Sequence, residues 1–136
     1  MPRSARASTV HLDTALGLRA GLRSALELNH EGRRAALPEL ARSLGDQPVA
    51  LTWTSSDPVL TTTASGVSGG LARLAIAAHE AAVEGSWWRL KVCAWEECER
   101  AYYDRSKNRS RSWCEYGCGN KVKTRAYRAR QAGSGR

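Results

Sequence analysis

Cys93-Ala94-Trp95-Glu96-Glu97-Cys98 and, fifteen residues on, Cys114-Glu115-Tyr116-Gly117-Cys118 are the stretches whose reading decides the fold. They hold all four cysteines of a 136-residue chain, as a Cys-x4-Cys pair and a Cys-x3-Cys pair. Two close pairs joined by a folded-back segment deliver four thiolates to one tetrahedral zinc, at about 2.3 Å each. Other chemistries draw on the same donors. Two disulfides would suit a secreted chain, and an iron–sulfur cluster also takes four thiolates; spacing alone does not exclude the cluster. Four unrelated buried cysteines would not be expected to fall so close together. The strongly basic surroundings favour one structural zinc ion held by Cys93, Cys98, Cys114 and Cys118.

The residues around the pairs supply a scaffold. Trp88, Leu90 and Val92 alternate into the first pair and read as a strand, with Ala101, Tyr102 and Tyr103 as its partner. The segment from Asp104 to Ser112 is so polar and charged that an exposed loop is expected. After Gly119, residues 120–130 form a good helix, with Val122, Ala126 and Ala129 as a narrow apolar stripe for packing on the hairpin. Cys114 and Cys118 lie at or before its start, where free N–H groups favour thiolates. The finger has few large aliphatics, so its folding is expected to depend on the metal.

Charge is divided unevenly. Residues 1–99 carry ten Lys or Arg against eleven Asp or Glu, whereas residues 100–136 carry eleven against two, Asp104 and Glu115. The whole net charge of +8 therefore arises in the last quarter of the chain. Such asymmetry is the footprint of a part that meets a polyanion.

The N-terminal part reads as helices against a hairpin, giving an α+β fold class overall. Residues 1–10 are expected to be disordered. Ala15, Leu18, Leu22, Ala25 and Leu26 mark a helix over 12–29, and a second helix covers 34–44, starting late because of Pro38. Val49, Leu51 and Trp53 alternate, Ser55-Ser56-Asp57-Pro58 turns the chain, and Val59 to Thr63 returns it. Ser65 to Gly70 reads as a flexible hinge. Leu71, Leu74, Ala75, Ala78 and Ala82 mark a third helix ending near Gly85. His11, His30 and His79 are isolated and read as surface or packing residues. No phosphate loop or nucleophile motif is present, and a four-thiolate zinc leaves no open position, so an enzyme is not expected. No apolar run approaches the roughly 20 residues that span a bilayer, and no signal-like apolar segment follows the basic N-terminus. No membrane association is expected, and the cytoplasm is the expected location.

From Cys93 to about Arg130 the residues resemble the CGNR zinc-finger family: the Cys-x4-Cys pair, Asp104-Arg105-Ser106-Lys107-Asn108-Arg109-Ser110-Arg111, Trp113-Cys114, and Cys118-Gly119-Asn120 before a basic helix. The resemblance implies bacterial transcription regulators that bind DNA, in which the finger follows an N-terminal module known as ABATE, ascribed to stress-response regulators. It implies an ABATE-like α+β domain at 11–86 and a treble-clef-like finger at 87–131 (a zinc-bound β-hairpin plus a C-terminal basic helix); residues 132–136 are expected to be a disordered tail. One position departs from the signature: its last residue, normally Arg, is Lys121, which keeps the charge and loses the planar two-pronged donor.

The expected partner is duplex DNA. Arg105, Lys107, Arg109 and Arg111 would meet backbone phosphates. Lys121, Lys123, Thr124, Arg125, Arg128 and Arg130 would meet the groove and its flanking phosphates, with base reading from Lys121, Thr124, Arg125 or Arg128. Two other readings use the same residues differently. An RNA- or ribonucleoprotein-binding module would stack Tyr102, Tyr103, Tyr116 or Tyr127 on unpaired bases. A protein-interaction adaptor recruiting RNA polymerase or another transcription protein would expose some of the five tryptophans, although Trp87 and Trp88 are expected to pack. The oligomeric state, target sequence, sign of regulation and any small-molecule effector leave no mark in the sequence.

Overall fold

Apolar residues at three- and four-residue steps wind the first part of the chain into helices, and the β-branched and cysteine-flanking segments into short hairpins. The computed structural model describes residues 7–134. In chain order it runs α1 (Thr9–Glu31), α2 (Pro38–Gly45), β1 (Ala50–Trp53), β2 (Pro58–Thr61), α3 (Gly66–Glu84), a 3-10 turn (Trp87–Arg89), β3 (Leu90–Val92), β4 (Ala101–Tyr103) and α4 (Cys118–Gly133). Two antiparallel two-stranded sheets, β1-β2 and β3-β4, complete the α+β fold. None of the helices among the described residues is long and apolar enough to cross a membrane.

The chain divides into two compact units. One takes the chain up to Ala25 together with Ala36–Trp87, and the other takes Leu26–Ala35 together with the chain from Trp88 onward. The end of α1 thus belongs with the cysteine-bearing unit, which a boundary drawn at residue 87 does not anticipate.

In the first unit Leu18, Ala25, Leu40 and Leu71 are buried together, with Ala15, Leu22, Leu37, Leu44, Val67 and Trp87 packed on them. Gly21 lets α1 and α2 approach: a Cβ there would stand 2.8 Å from that of Leu40. Pro38 occupies the first turn of α2, where its missing N–H costs nothing. The β1-β2 register pairs Ala50 with Thr61, Leu51 with Leu60, Thr52 with Val59 and Trp53 with Pro58. An open apolar groove of about 490 Å³ is lined by Leu40, Leu44, Leu60, Ile76, His79 and Trp87, so His79 sits at the rim of an apolar surface.

Several boundaries differ from the sequence reading. α1 begins at Thr9, inside the stretch expected to be disordered; the rest of that stretch to residue 6 lies outside the described residues. The glycine-rich hinge is mostly the first turn of α3, because Gly69 is buried where any side chain would collide with the Ala64 carbonyl. Leu74 is half-exposed, and Leu71 and Ala72 supply the buried face instead. Leu51 and Trp53 lie on the exposed hairpin, 71% and 72% accessible, so the alternation of β1 does not mark a buried face. Trp88 lies in the 3-10 turn and not in a strand. Helix α4 continues to Gly133, into the segment expected to be a tail, whose last two residues lie outside the described residues.

Candidate metal centre

In the second unit β3 and β4 pair as Leu90 with Tyr103, Lys91 with Tyr102 and Val92 with Ala101. The hairpin continues into the first cysteine pair: the Cys93 N–H donates to the Arg100 carbonyl at 2.8 Å, and the Cys98 N–H to the Trp95 carbonyl at 2.8 Å. Glu99, at φ 46°, reverses the chain between Cys98 and β4. The second pair is set by Gly117, whose φ of 78° is the left-handed conformation that glycine adopts without strain. It caps α4, and Cys118 is the first residue of that helix. The sequence reading started this helix two residues later, after Gly119.

Cys93, Cys114 and Cys118 are buried and Cys98 is partly so, with Tyr102, Trp95 and Trp113 packed around them. Their four Sγ atoms all lie within 4.8 Å of one another. Cys98 and Cys114 sulfurs are 3.8 Å apart, and Cys114 and Cys118 sulfurs 3.5 Å. Four thiolates around one tetrahedral zinc, at about 2.3 Å from it, stand about 3.8 Å from each other. The spacing therefore fits a single ion, and is far too long for disulfide bonds of about 2.05 Å. The Cys114 N–H points at Cys93 Sγ at 3.5 Å, an amide placed to stabilise a thiolate.

Without a cation two of these thiols resist ionisation. Burial pushes the Cys118 thiol up to about 12, reinforced by its cysteine neighbours, and burial raises Cys114 as well. Cys98, helped chiefly by a backbone hydrogen bond from Arg100, is drawn down to about 7. A divalent ion supplies the charge that lets all four sulfurs deprotonate together.

Residues 89–131 match the family model for the CGNR zinc finger. This segment is a CGNR zinc finger. Its four cysteines hold one structural zinc, as their spacing together with the basic surroundings led one to expect. No curated protein matches the chain.

The loop between the two pairs of the finger is not simply solvated. Asp104, expected in an exposed loop, is completely buried, and Lys91 beside it is 7% exposed at its side chain. Asp104 accepts from Lys91 Nζ at 2.8 Å, the Ser106 N–H at 2.9 Å, the Ser106 hydroxyl at 2.6 Å and the Arg111 N–H at 3.0 Å. Burial by itself would raise this carboxyl, but the Lys91 ammonium and the Ser106 and Arg111 donors hold it well below the usual carboxylate range. The Tyr102 hydroxyl donates to the Arg111 carbonyl at 2.6 Å, and burial pushes that phenol up to about 12. The fold of the CGNR loop is thus written in a buried ion pair.

The basic side chains named from the sequence fall into two groups. Arg105, Lys107, Arg109 and Arg111 are exposed on the loop, although Arg111 Nε donates to the Trp113 carbonyl at 2.8 Å. Lys121, Lys123, Thr124, Arg125, Arg128 and Arg130 are all exposed on α4. The apolar stripe expected on this helix does not pack as a stripe: Val122 is half-buried, while Ala126 and Ala129 are exposed. Buried packing of α4 is confined to its start, through Cys118, Gly119 against Trp113, and Val122; farther along, Arg125 ties the helix to Glu97 and Trp95.

Two functional neighbours escaped the sequence reading. Glu97 accepts both arms of Arg125, at 2.7 and 3.3 Å, and the Arg125 hydrogen bond holds its carboxyl below the usual value. Trp95 lies beneath Lys121 and Arg125, at 5.0 and 5.6 Å from its ring centre, and closes a groove lined by Asn120, Thr124 and Arg128. Both residues sit between Cys93 and Cys98, where only the ligands drew notice. Of the tyrosines, Tyr102 is buried, Tyr116 lies under Arg100 at 4.0 Å, and Tyr103 and Tyr127 are partly exposed. Trp87 packs in the first unit, and Trp88 lies under Arg34 in the second.

Proposed function

We propose that the chain is a DNA-binding transcription regulator whose zinc finger presents α4 to the duplex. The observation that carries this reading is the state of α4. It starts at a zinc ligand, is exposed along its length after Val122, and displays Lys121, Lys123, Arg125, Arg128 and Arg130. A helix of this width suits the major groove, about 12 Å across in B-DNA. The loop arginines then neutralise flanking phosphates, which sets the register without reading sequence. Lys121 in place of the family arginine gives a point charge where a fork would grip guanine, so base reading falls chiefly to Arg125 and Arg128. The zinc has a structural role with no open coordination position, which argues against an enzyme. The ABATE-type reading of the N-terminal unit, and work in the cytoplasm, belong to the same proposal.

The test is duplex binding across a salt series, followed by selection of bound sequences from random duplexes. With about five phosphate contacts, log K falls against log salt with a slope of about −4.5. Arg125→Ala/Arg128→Ala is expected to abolish sequence enrichment and to leave weaker, nonspecific binding. A flat salt dependence of the wild type would refute nucleic-acid binding, and absence of enrichment would refute sequence-specific regulation.

One other reading has an observation of its own. Leu51 and Trp53, exposed on β1 of the first unit, offer an apolar contact of the kind a transcription protein such as RNA polymerase would cover. Trp53→Ser would then abolish capture of that partner and leave DNA binding intact.

A further inference from the structure

The finger's basic surface has a part that lies outside residues 89–131. Within the second unit, the end of α1 and the segment after it face Trp88, Lys91, Asn108 and Arg109 across an open cleft of about 440 Å³. The Asn29 side-chain amide ties this segment to the finger by donating to the Leu90 carbonyl of β3 at 3.0 Å.

The cleft is polar and predominantly cationic. Arg33, Arg34 and Arg109 line it and are exposed. Lys91 is already neutralised by Asp104. The lining carboxylate is Glu31, paired with Arg33 at 2.8 Å across a solvent-exposed contact that an incoming anion can displace at little cost. Among the described residues no carboxylate pairs with Arg34 or Arg109. The Arg34 guanidinium is stacked over Trp88 at 4.2 Å, which fixes its plane and leaves its N–H edge for an acceptor. His30, also lining the cleft, carries a buried Nδ1 with no hydrogen-bond partner among the described residues, a sign of polar capacity still unused.

Arginine forks recognise the paired oxygens of a phosphate. Arg109 lies on the loop already assigned to the DNA backbone, and Arg33 and Arg34 extend that loop's charge from a segment more than seventy residues earlier in the chain. We infer that this cleft is a phosphate-binding site, and that DNA seated on the finger places a backbone phosphate in it between Arg34 and Arg109, with Arg33 turning from Glu31 to join them. The inference rests on the DNA-binding reading and widens the footprint beyond the zinc finger proper.

The experiment uses the full-length, zinc-loaded protein and a labelled random-sequence duplex, with affinity read by anisotropy from 50 to 300 mM salt, on the order of the range where counterion release is steep. Arg33→Ala/Arg34→Ala is expected to bind several-fold more weakly and to flatten the salt slope by up to about 0.9, the value for one lost phosphate. Its zinc content and far-UV CD should match the wild type, since both side chains are exposed. A second arm follows the Trp88 indole N–H by NMR while inorganic phosphate replaces chloride at constant ionic strength. If the variant keeps the wild-type slope while wild type and variant both bind DNA, this inference fails and the DNA-binding reading stands. If the wild type does not bind duplex DNA, both fall. If free phosphate shifts the Trp88 signal and the DNA slope is unchanged by the substitutions, the cleft serves a free phosphorylated ligand and the assignment to the DNA backbone is overturned.

Discussion

Replacing Asp104 by asparagine keeps the shape of the side chain and removes the chemistry that folds the loop. The carboxylate accepts four hydrogen bonds, through Oδ1 from the Ser106 N–H and hydroxyl and through Oδ2 from Lys91 Nζ and the Arg111 N–H. In Asp104→Asn one oxygen becomes an amide that donates. Placed at Oδ2 it meets the Lys91 ammonium and the Arg111 N–H, and placed at Oδ1 it meets both Ser106 donors. Either orientation sets donors against donors, with Lys91 buried and its countercharge gone. Breaking a buried pair in this way costs about 3–5 kcal/mol. Because zinc binding and folding of the finger are one equilibrium, the loss should appear as a drop in apparent zinc affinity of about two to three and a half orders of magnitude. The assay is competition with a chromophoric chelator at neutral pH, with Ser106→Ala as a milder control costing about 0.5–1.5 kcal/mol. Because the folded carboxyl is held below its unfolded value of about 3.9, its stabilisation is complete above that pH and is lost as pH falls further, through the folded value. The deficit of Asp104→Asn should therefore be constant between about pH 6 and pH 8. Zinc affinity within threefold of the wild type would refute the argument that this pair holds the loop.

Removing zinc with EDTA, or the substitution Cys118→Ser, is expected to melt the finger and with it the helical CD of α4, because Cys118 is both a ligand and the first residue of that helix; unchanged far- and near-UV CD would contradict this. Gly117→Ala should cost about 1–2 kcal/mol through backbone strain alone, since φ is 78° and a Cβ there meets nothing within 4 Å. Gly119→Ala should disturb the neighbouring indole instead, its Cβ standing 3.2 Å from Trp113 Cε3, so Trp113 fluorescence separates the two variants. Glu97→Gln frees Arg125 and removes a negative charge from the helix face, and should raise nonspecific duplex affinity while reducing discrimination between sequences; unchanged affinity would show that Glu97 does not restrain Arg125.

The metal ligands were legible because cysteine spacing is a local pattern, and the pairs Cys93/Cys98 and Cys114/Cys118 converge as spacing indicates. The loop that joins them was not. A run such as Asp104 to Ser112 averages to a solvated segment, and nothing in its composition reveals that one carboxylate is turned inward onto a lysine of β3. Lys91 offered a hint, standing between Leu90 and Val92 in a strand, but its partner is thirteen residues away. Arg33 and Arg34 were further still from the finger they join, and no periodicity connects them to it. The stripe on α4 misled for a simpler reason: Ala126 and Ala129 have too little surface to hold a helix down once Val122 is passed.

Past Arg125 the side chains of α4 are exposed, which places the distal half of the helix under helix–coil control. An unsupported helix of this length is marginal in water, chiefly because its first turn is costly to form. Here the zinc site forms that turn in advance, so growth of the helix proceeds from Cys118 outward. The clustered positive charges of Lys121, Lys123, Arg125, Arg128 and Arg130, offset in part by Glu97, oppose that growth. On the proposed DNA-binding reading, a polyanion laid along the helix would relieve the repulsion and favour the helical state of its distal half. Affinity then includes the free energy of completing a helix, and a substitution that favours helix near Gly133 should tighten binding without touching the nucleic acid.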